Sequence, residues 1–136
     1  MNPPEEPRMG LTTFRQVLAA AMAGAVVGFF LLSIFDLLEL FPPVVPWSVP
    51  AVVAVMGVGC WIYSWGLSRR VNEREVPGIE AVRALVVAKS AVMTGAVLAG
   101  MHAVYIARWV GSMQAQAPAS RVLLGAITVI TSLFLA

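Results

Sequence analysis

Apolar residues fall in four long runs, 17–35, 50–67, 84–107 and 122–136, separated by short polar or proline-rich links. A helix needs about 20 mostly apolar residues to cross the roughly 30 Å hydrocarbon core of a bilayer. Lipid offers no partner to a free backbone N–H or C=O, so each run must close its own hydrogen bonds as a helix. The pattern predicts an all-α membrane protein, a bundle of four transmembrane helices. The fourth run is the shortest and rises only about 22 Å at 1.5 Å per residue. It has no basic flank, so either its end lies at the inner headgroups or a natural tail is lacking from the sequence. Residues 1–10 are rich in proline and charge and read as a disordered cytoplasmic tail. Residues 11–136 then form a single four-helix transmembrane domain.

The links carry their own signals. Thr12 and Thr13 offer a hydroxyl cap to the first helix. Pro42, Pro43 and Pro46 make a stiff, non-helical connection, and Pro50 suits the first turn of the second helix. Pro77-Gly78 turns the chain into the third helix, and the Gln/Ala/Ser stretch at 111–120 reads as flexible. Ala19 to Ala25 resembles a signal-peptide cleavage region, but the apolar run continues to Phe35. A signal peptide has a core of only about 7–15 residues, which favours an uncleaved first helix.

Composition agrees. The 136 residues are 60% hydrophobic and 12% charged, with a mean hydropathy of +0.86. A soluble domain has about 45–50% apolar and about 25% charged residues. The longest links are too short to bury a water-soluble core.

The net charge of +2 lies in arginines that flank the runs, which is a topology signal and no sign of nucleic-acid binding. Arg8, Arg15, Arg69, Arg70, Arg74 and Arg83, with Lys89 just inside the third run, lie on one side. Only Arg108 and Arg121 oppose them. Lysine and arginine in excess stay cytoplasmic. Both termini and the 68–83 link are therefore expected inside, in a multi-pass protein of the cytoplasmic membrane.

Small residues mark helix-packing faces. Ala20, Gly24 and Gly28 recur at spacing four in the first run, and Ala91, Gly95, Ala99 and Ala103 do so in the third. Such rows let backbones approach closely where packing drives association. They fit intrachain packing, with the third helix central and against the first, or a homodimer face. Trp47, Trp61 and Trp65 read as interfacial anchors beside Arg69, Arg70 and Arg83. The aromatics of the second run are an interfacial belt before they are a cage for a cation.

Ionisable residues inside a span are costly and are the natural site candidates. Asp36, Lys89 and His102 stand out, with Glu39 next. Asp36 lies about 9 Å below Pro42, and His102 about 10 Å below Trp109, at 1.5 Å per residue. At that common depth they form a carboxylate–imidazole pair or hydrate separately near the interface. Lys89 either snorkels to inner headgroups and anionic lipid or pairs with another span or subunit. The single cysteine, Cys60, reads as a packing residue. No metal-ligand spacing, nucleophile–base pair, phosphate loop or dinucleotide turn is present in the sequence, so neither a cofactor nor catalysis is expected. Ser33, Ser64, Ser90 and Thr94 read as bonded to their own helix backbones.

Several landmarks lie together: Asp36-Leu37-Leu38, Pro43-Val44-Val45-Pro46-Trp47, Trp65 to Val71, and above all the element from Glu80 to Ala91, followed by Gly95 to Gly100. In combination the chain resembles an uncharacterised family of small actinobacterial membrane proteins, the domain of unknown function 3180 family, over roughly 11–136. The resemblance implies a four-helix membrane protein with no assigned activity and supplies no catalytic residue. The expected function is a non-catalytic accessory or scaffold subunit, with a membrane-protein partner or a second copy of itself. The alternative is a small oligomeric transporter or channel component with Asp36, Lys89 and His102 in its pathway.

Overall fold

The computed structural model of the chain describes residues 10, 12–73, 77–110 and 116–136. Of the tail expected at 1–10 only Gly10 lies among them, and residues 111–115 of the flexible link also lie outside them. Among the described residues four helices make up the fold: α1 (Phe14–Leu37), α2 (Ser48–Asn72), α3 (Gly78–Val110) and α4 (Gln116–Leu135). Three of them, α1, α2 and α3, are long and apolar enough to cross a membrane, while the apolar part of α4, Ser120–Phe134, is shorter.

The helices outrun the apolar stretches. α2 continues through Arg69 and Arg70, and α3 begins before Glu80 and Arg83. Arginine and glutamate are good helix formers, so the polar flanks extend the helices instead of ending them. Helix α4 likewise starts at Gln116, inside the stretch expected to be flexible, with Pro118 in its first turn. The first-turn N–H groups have no intrahelical partner, so proline costs little at that place. At the start of α1 the Thr13 N–H donates to Gln16 Oε1 at 3.1 Å.

Packing follows the order α1–α3–α4–α2, a row in which α3 holds α1 on one side and α4 on the other, and α4 holds α2. Helices α1 and α2 do not touch among the described residues, and α2 barely meets α3. Gly24 lies by Val97, Gly28 by Met101 and Asp36 by Arg108, so α1 and α3 run parallel. Gly95 lies by Ser132 and Ala136, and Gly125 by Tyr105 and Ile106, so α4 runs antiparallel to α3. Over the described residues α4 accompanies α3 from Tyr105 to Gly95.

Close approach explains the glycines. A Cβ on Gly24 would collide with the Val97 carbonyl, and one on Gly100 with the Ala21 carbonyl. On the far side of α3, one on Gly95 would collide with the Ser132 carbonyl. In lipid, apolar surface gives helices little reason to associate, and dispersion between close backbones does the work instead. Thr128 and Ser132 are fully buried in α4 (0% exposed), with the Thr128 hydroxyl donating to Leu124 O at 2.8 Å. That bond satisfies a polar group where water is absent.

Candidate functional site

The polar groups concentrate at the end of the molecule where α1 stops, the Pro42 end. Helix α1 closes there in a Schellman motif. The Leu40 N–H donates to Phe35 O at 2.9 Å, and the Glu39 N–H to Asp36 O at 3.2 Å. Glu39 takes the left-handed position, with φ 55°, that glycine usually fills. For a residue with a side chain this costs roughly 1–2 kcal/mol. The turn sends the chain into buried Pro42, whose carbonyl accepts from Arg121 Nη1 of α4 at 2.7 Å. A proline carbonyl outside a helix has no ladder partner, so a charged donor from another helix is a strong clamp. The same guanidinium lies 4.8 Å from the centroid of the Trp109 ring, and that of Arg108 lies 5.9 Å from it. One indole thus meets two cations. The Trp109 Nε1 is buried without a hydrogen-bond partner.

Asp36 pairs with Arg108 at 3.5 Å, both side chains about half exposed. Of the two readings of Asp36 and His102, the carboxylate–imidazole pair does not form among the described residues. Depth along each helix brought them level, but His102 lies six residues from Arg108, about 240° round α3 at 3.6 residues per turn. Arg108 lies on the side of α1 that carries Asp36, and His102 does not. Asp36 borders two recesses. One, of about 210 Å³, is lined by Glu39, Pro42, Arg108 and Trp109. The other, of about 250 Å³, is lined by Phe29, Ser33, Val104 and Arg108.

His102 belongs to a third recess, of about 200 Å³, between α1, the 42–45 link and α3. Gly28 and Phe35 of α1, Pro42 and Pro43 of the link, and His102 and Tyr105 of α3 line it. His102 is 7% exposed and Tyr105 8%. The His102 Nδ1 meets Leu98 O at 2.9 Å, while the Tyr105 hydroxyl is buried with no partner. His102, Tyr105 and Trp109 follow the spacing i, i+3, i+7, which puts them on one face of α3. That spacing is present in the sequence, as is Thr128-x-x-x-Ser132 on α4, but single polar residues at helical spacing within an apolar run look like ordinary packing positions.

At the opposite, Arg70 end the remaining candidates lie apart. Lys89 is half-buried and makes no ion pair among the described residues. Arg70 bridges α2 and α3 through a two-pronged contact with Glu80, at 2.6 and 3.1 Å. Above this bridge, a groove of about 280 Å³ lies between Cys60, Tyr63 and Leu67 of α2 and Ala84, Leu85 and Ala88 of α3. Trp61 and Trp65 are exposed on α2, Trp47 is exposed just before it, and Arg69 and Arg83 are exposed. Gly24, Gly28, Gly95 and Ala99 are buried, and Ala91 is half-buried. Ser33 and Ser64 bond to the carbonyls of Phe29 and Trp61. None of the recesses described brings Asp36, His102 and Lys89 together. Among the described residues no three His, Cys, Asp or Glu side chains gather as metal ligands.

A family model described as "Protein of unknown function (DUF3180)" matches residues 17–136. No curated protein and no solved structure matches the chain.

Proposed function

The chain belongs to the DUF3180 family of proteins of unknown function, and from that premise we propose that it is a non-catalytic accessory or scaffold subunit of the cytoplasmic membrane. Its N-terminus faces inward in this reading, and α4 runs back toward the same side. The carrying observation is the row of helices. Helices α1 and α2 sit at its two edges, do not touch each other among the described residues, and present large apolar side chains such as Phe29, Phe30, Val55 and Trp61 outward. Faces of this kind suit lipid or another membrane helix.

The orientation rests on Arg69, Arg70 and Arg83 at the Arg70 end. The opposing arginines, Arg108 and Arg121, have structural partners in Asp36, Trp109 and the Pro42 carbonyl. Their presence on the outer side therefore has a reason of its own. The transport reading has less support, since none of the recesses among the described residues joins its three candidate residues.

The test is purification of the tagged protein from its native membrane in mild detergent, with the assembly weighed and its components identified by mass spectrometry. A reproducible second membrane protein at fixed ratio is the expected result. A homo-oligomer with no other component would contradict the accessory reading and favour transport.

A further inference from the structure

We propose that the groove between α2 and α3 at the Arg70 end seats one acyl chain of an anionic phospholipid, whose negative headgroup is drawn to Arg83 and Lys89. The proposal goes beyond the accessory reading. It depends neither on that reading nor on which side of the membrane this end faces.

Shape is the first argument. The groove holds about 280 Å³, against the roughly 150 Å³ that suffices for a benzene ring. Alanines 81, 84 and 88 of α3 leave room beside Tyr63 and Leu67 of α2. Cys60 is the α2 lining residue farthest from Arg70. It lies about 15 Å from Arg70 along the helix, at 1.5 Å per residue. One leaflet supplies half of a hydrocarbon core of roughly 30 Å. The groove therefore runs from the level of the Arg70–Glu80 ion pair toward the midplane, which is the path of an acyl chain.

Charge selects the head. From Ser68 to Lys89 the sequence carries Arg69, Arg70, Arg74, Arg83 and Lys89 against Glu73, Glu75 and Glu80. The Pro42 end instead balances Arg108 and Arg121 against Asp36 and Glu39. Arg70 and Glu80 already bind each other. Arg83 and Lys89 make no ion pair among the described residues. Arg83 lies one turn before Val87 and Lys89 one turn after Leu85, and both of those residues line the groove. Helical side chains lean toward the helix N-terminus, which for α3 is the Arg70 end. The long stem of Lys89 thus carries its ammonium toward the headgroups. Attraction between such charges acts over roughly 8 Å at physiological salt and needs no shared contact. A second membrane helix fits less well, since it would have to bring counter-charges of its own to this depth.

Cys60 is the single cysteine of the chain and lines the groove, so a bound acyl chain should shield its thiol. The full chain, purified in a nonionic detergent, is alkylated with N-ethylmaleimide while lipid is titrated in. The two lipids are phosphatidylglycerol and phosphatidylcholine with the same acyl chains. Phosphatidylglycerol is expected to slow alkylation saturably, at a concentration at least about tenfold below that of phosphatidylcholine, as two nearby cations imply. Arg83→Gln and Lys89→Gln should each raise that concentration about fivefold for phosphatidylglycerol and leave phosphatidylcholine unchanged. Arg83→Lys, which keeps the charge, should behave as the unmutated chain does. Equal protection by the two lipids would overturn the proposal, because the groove would then take hydrocarbon alone. Absence of protection by either would overturn it too and leave the groove to a partner helix. Protection by phosphatidylglycerol that both neutral variants leave unchanged would contradict the assignment of Arg83 and Lys89. The lipid comparison is read on the unmutated chain, so a variant that fails to fold leaves the test standing.

Discussion

The two ends of the molecule are held in different ways. At the Pro42 end three helices and a link converge. Arg121 clamps the Pro42 carbonyl, two guanidinium groups lie over Trp109, and His102 and Tyr105 are buried nearby. At the Arg70 end α2 and α3 face each other across a groove with the Arg70–Glu80 ion pair at its base. The same helix, α3, takes part in both. It is largely buried from Gly95 to Tyr105 and largely exposed from Ile79 to Ser90. The difference follows from the side chains on offer. Glycine and alanine on α3 admit the backbones of α1 and α4, whereas α2 carries exposed Trp61 and Trp65 toward this end. Regions with few packed contacts open first, so the Arg70 end is the looser one.

The largest effect is expected at the α1–α3 crossing. Gly100→Leu places side-chain atoms against the Ala21 backbone carbonyl, which cannot rotate away. It should cost more than the roughly 1–3 kcal/mol typical of overpacking, read as lost folded fraction in detergent unfolding. Gly59→Ala on α2 meets open space and should be neutral or stabilising by up to about 1 kcal/mol. Equal losses for the two would erase the contrast between crowded and open faces.

Arg121→Ala comes next. It removes a charged hydrogen bond and a cation–π contact, and should cost about 2 kcal/mol in the same assay. Arg121→Lys should recover only part of this, since lysine cannot both reach the carbonyl and lie flat on the ring. Glu39→Gly should gain up to about 1 kcal/mol by relieving the left-handed backbone. A loss of stability there would mean that the Glu39 side chain supports the Pro42 end by a contact worth more than the strain.

The smallest effect belongs to the Arg70 end. Arg70→Gln should cost less than about 1 kcal/mol, as partly exposed ion pairs usually do. A cost as large as that of Arg121→Ala would show that the two ends are held with similar strength.

The helices were legible because lipid-length apolar runs admit little else, and the caps and prolines fell where helix ends needed them. The extra turns at Arg69, Arg70 and Glu80 were not, because hydropathy marks the apolar part of a helix and not its hydrogen bonding. The small-residue rows showed which faces can approach another backbone without naming the partner. On α3, Gly100 and Val97 meet α1, while Gly95 meets α4. The order α1–α3–α4–α2 therefore lay outside what spacing along one helix can say. Asp36 shows the same limit. Counting residues gave its depth, but the azimuth that joins it to Arg108 emerges only when two helices are set side by side. Arg121 read as a loop charge because its partner, Pro42, lies 79 residues away.

The most direct test of the unequal ends is a pair of spin-label distance distributions in nanodiscs, on a Cys60→Ser background. One pair, Ser64→Cys with Val87→Cys, spans the groove at the Arg70 end. The other, Val44→Cys with Ala107→Cys, spans the Pro42 end. The account predicts a broad distribution for the first and a narrow one for the second. Equal widths, or a broader distribution at the Pro42 end, would contradict it.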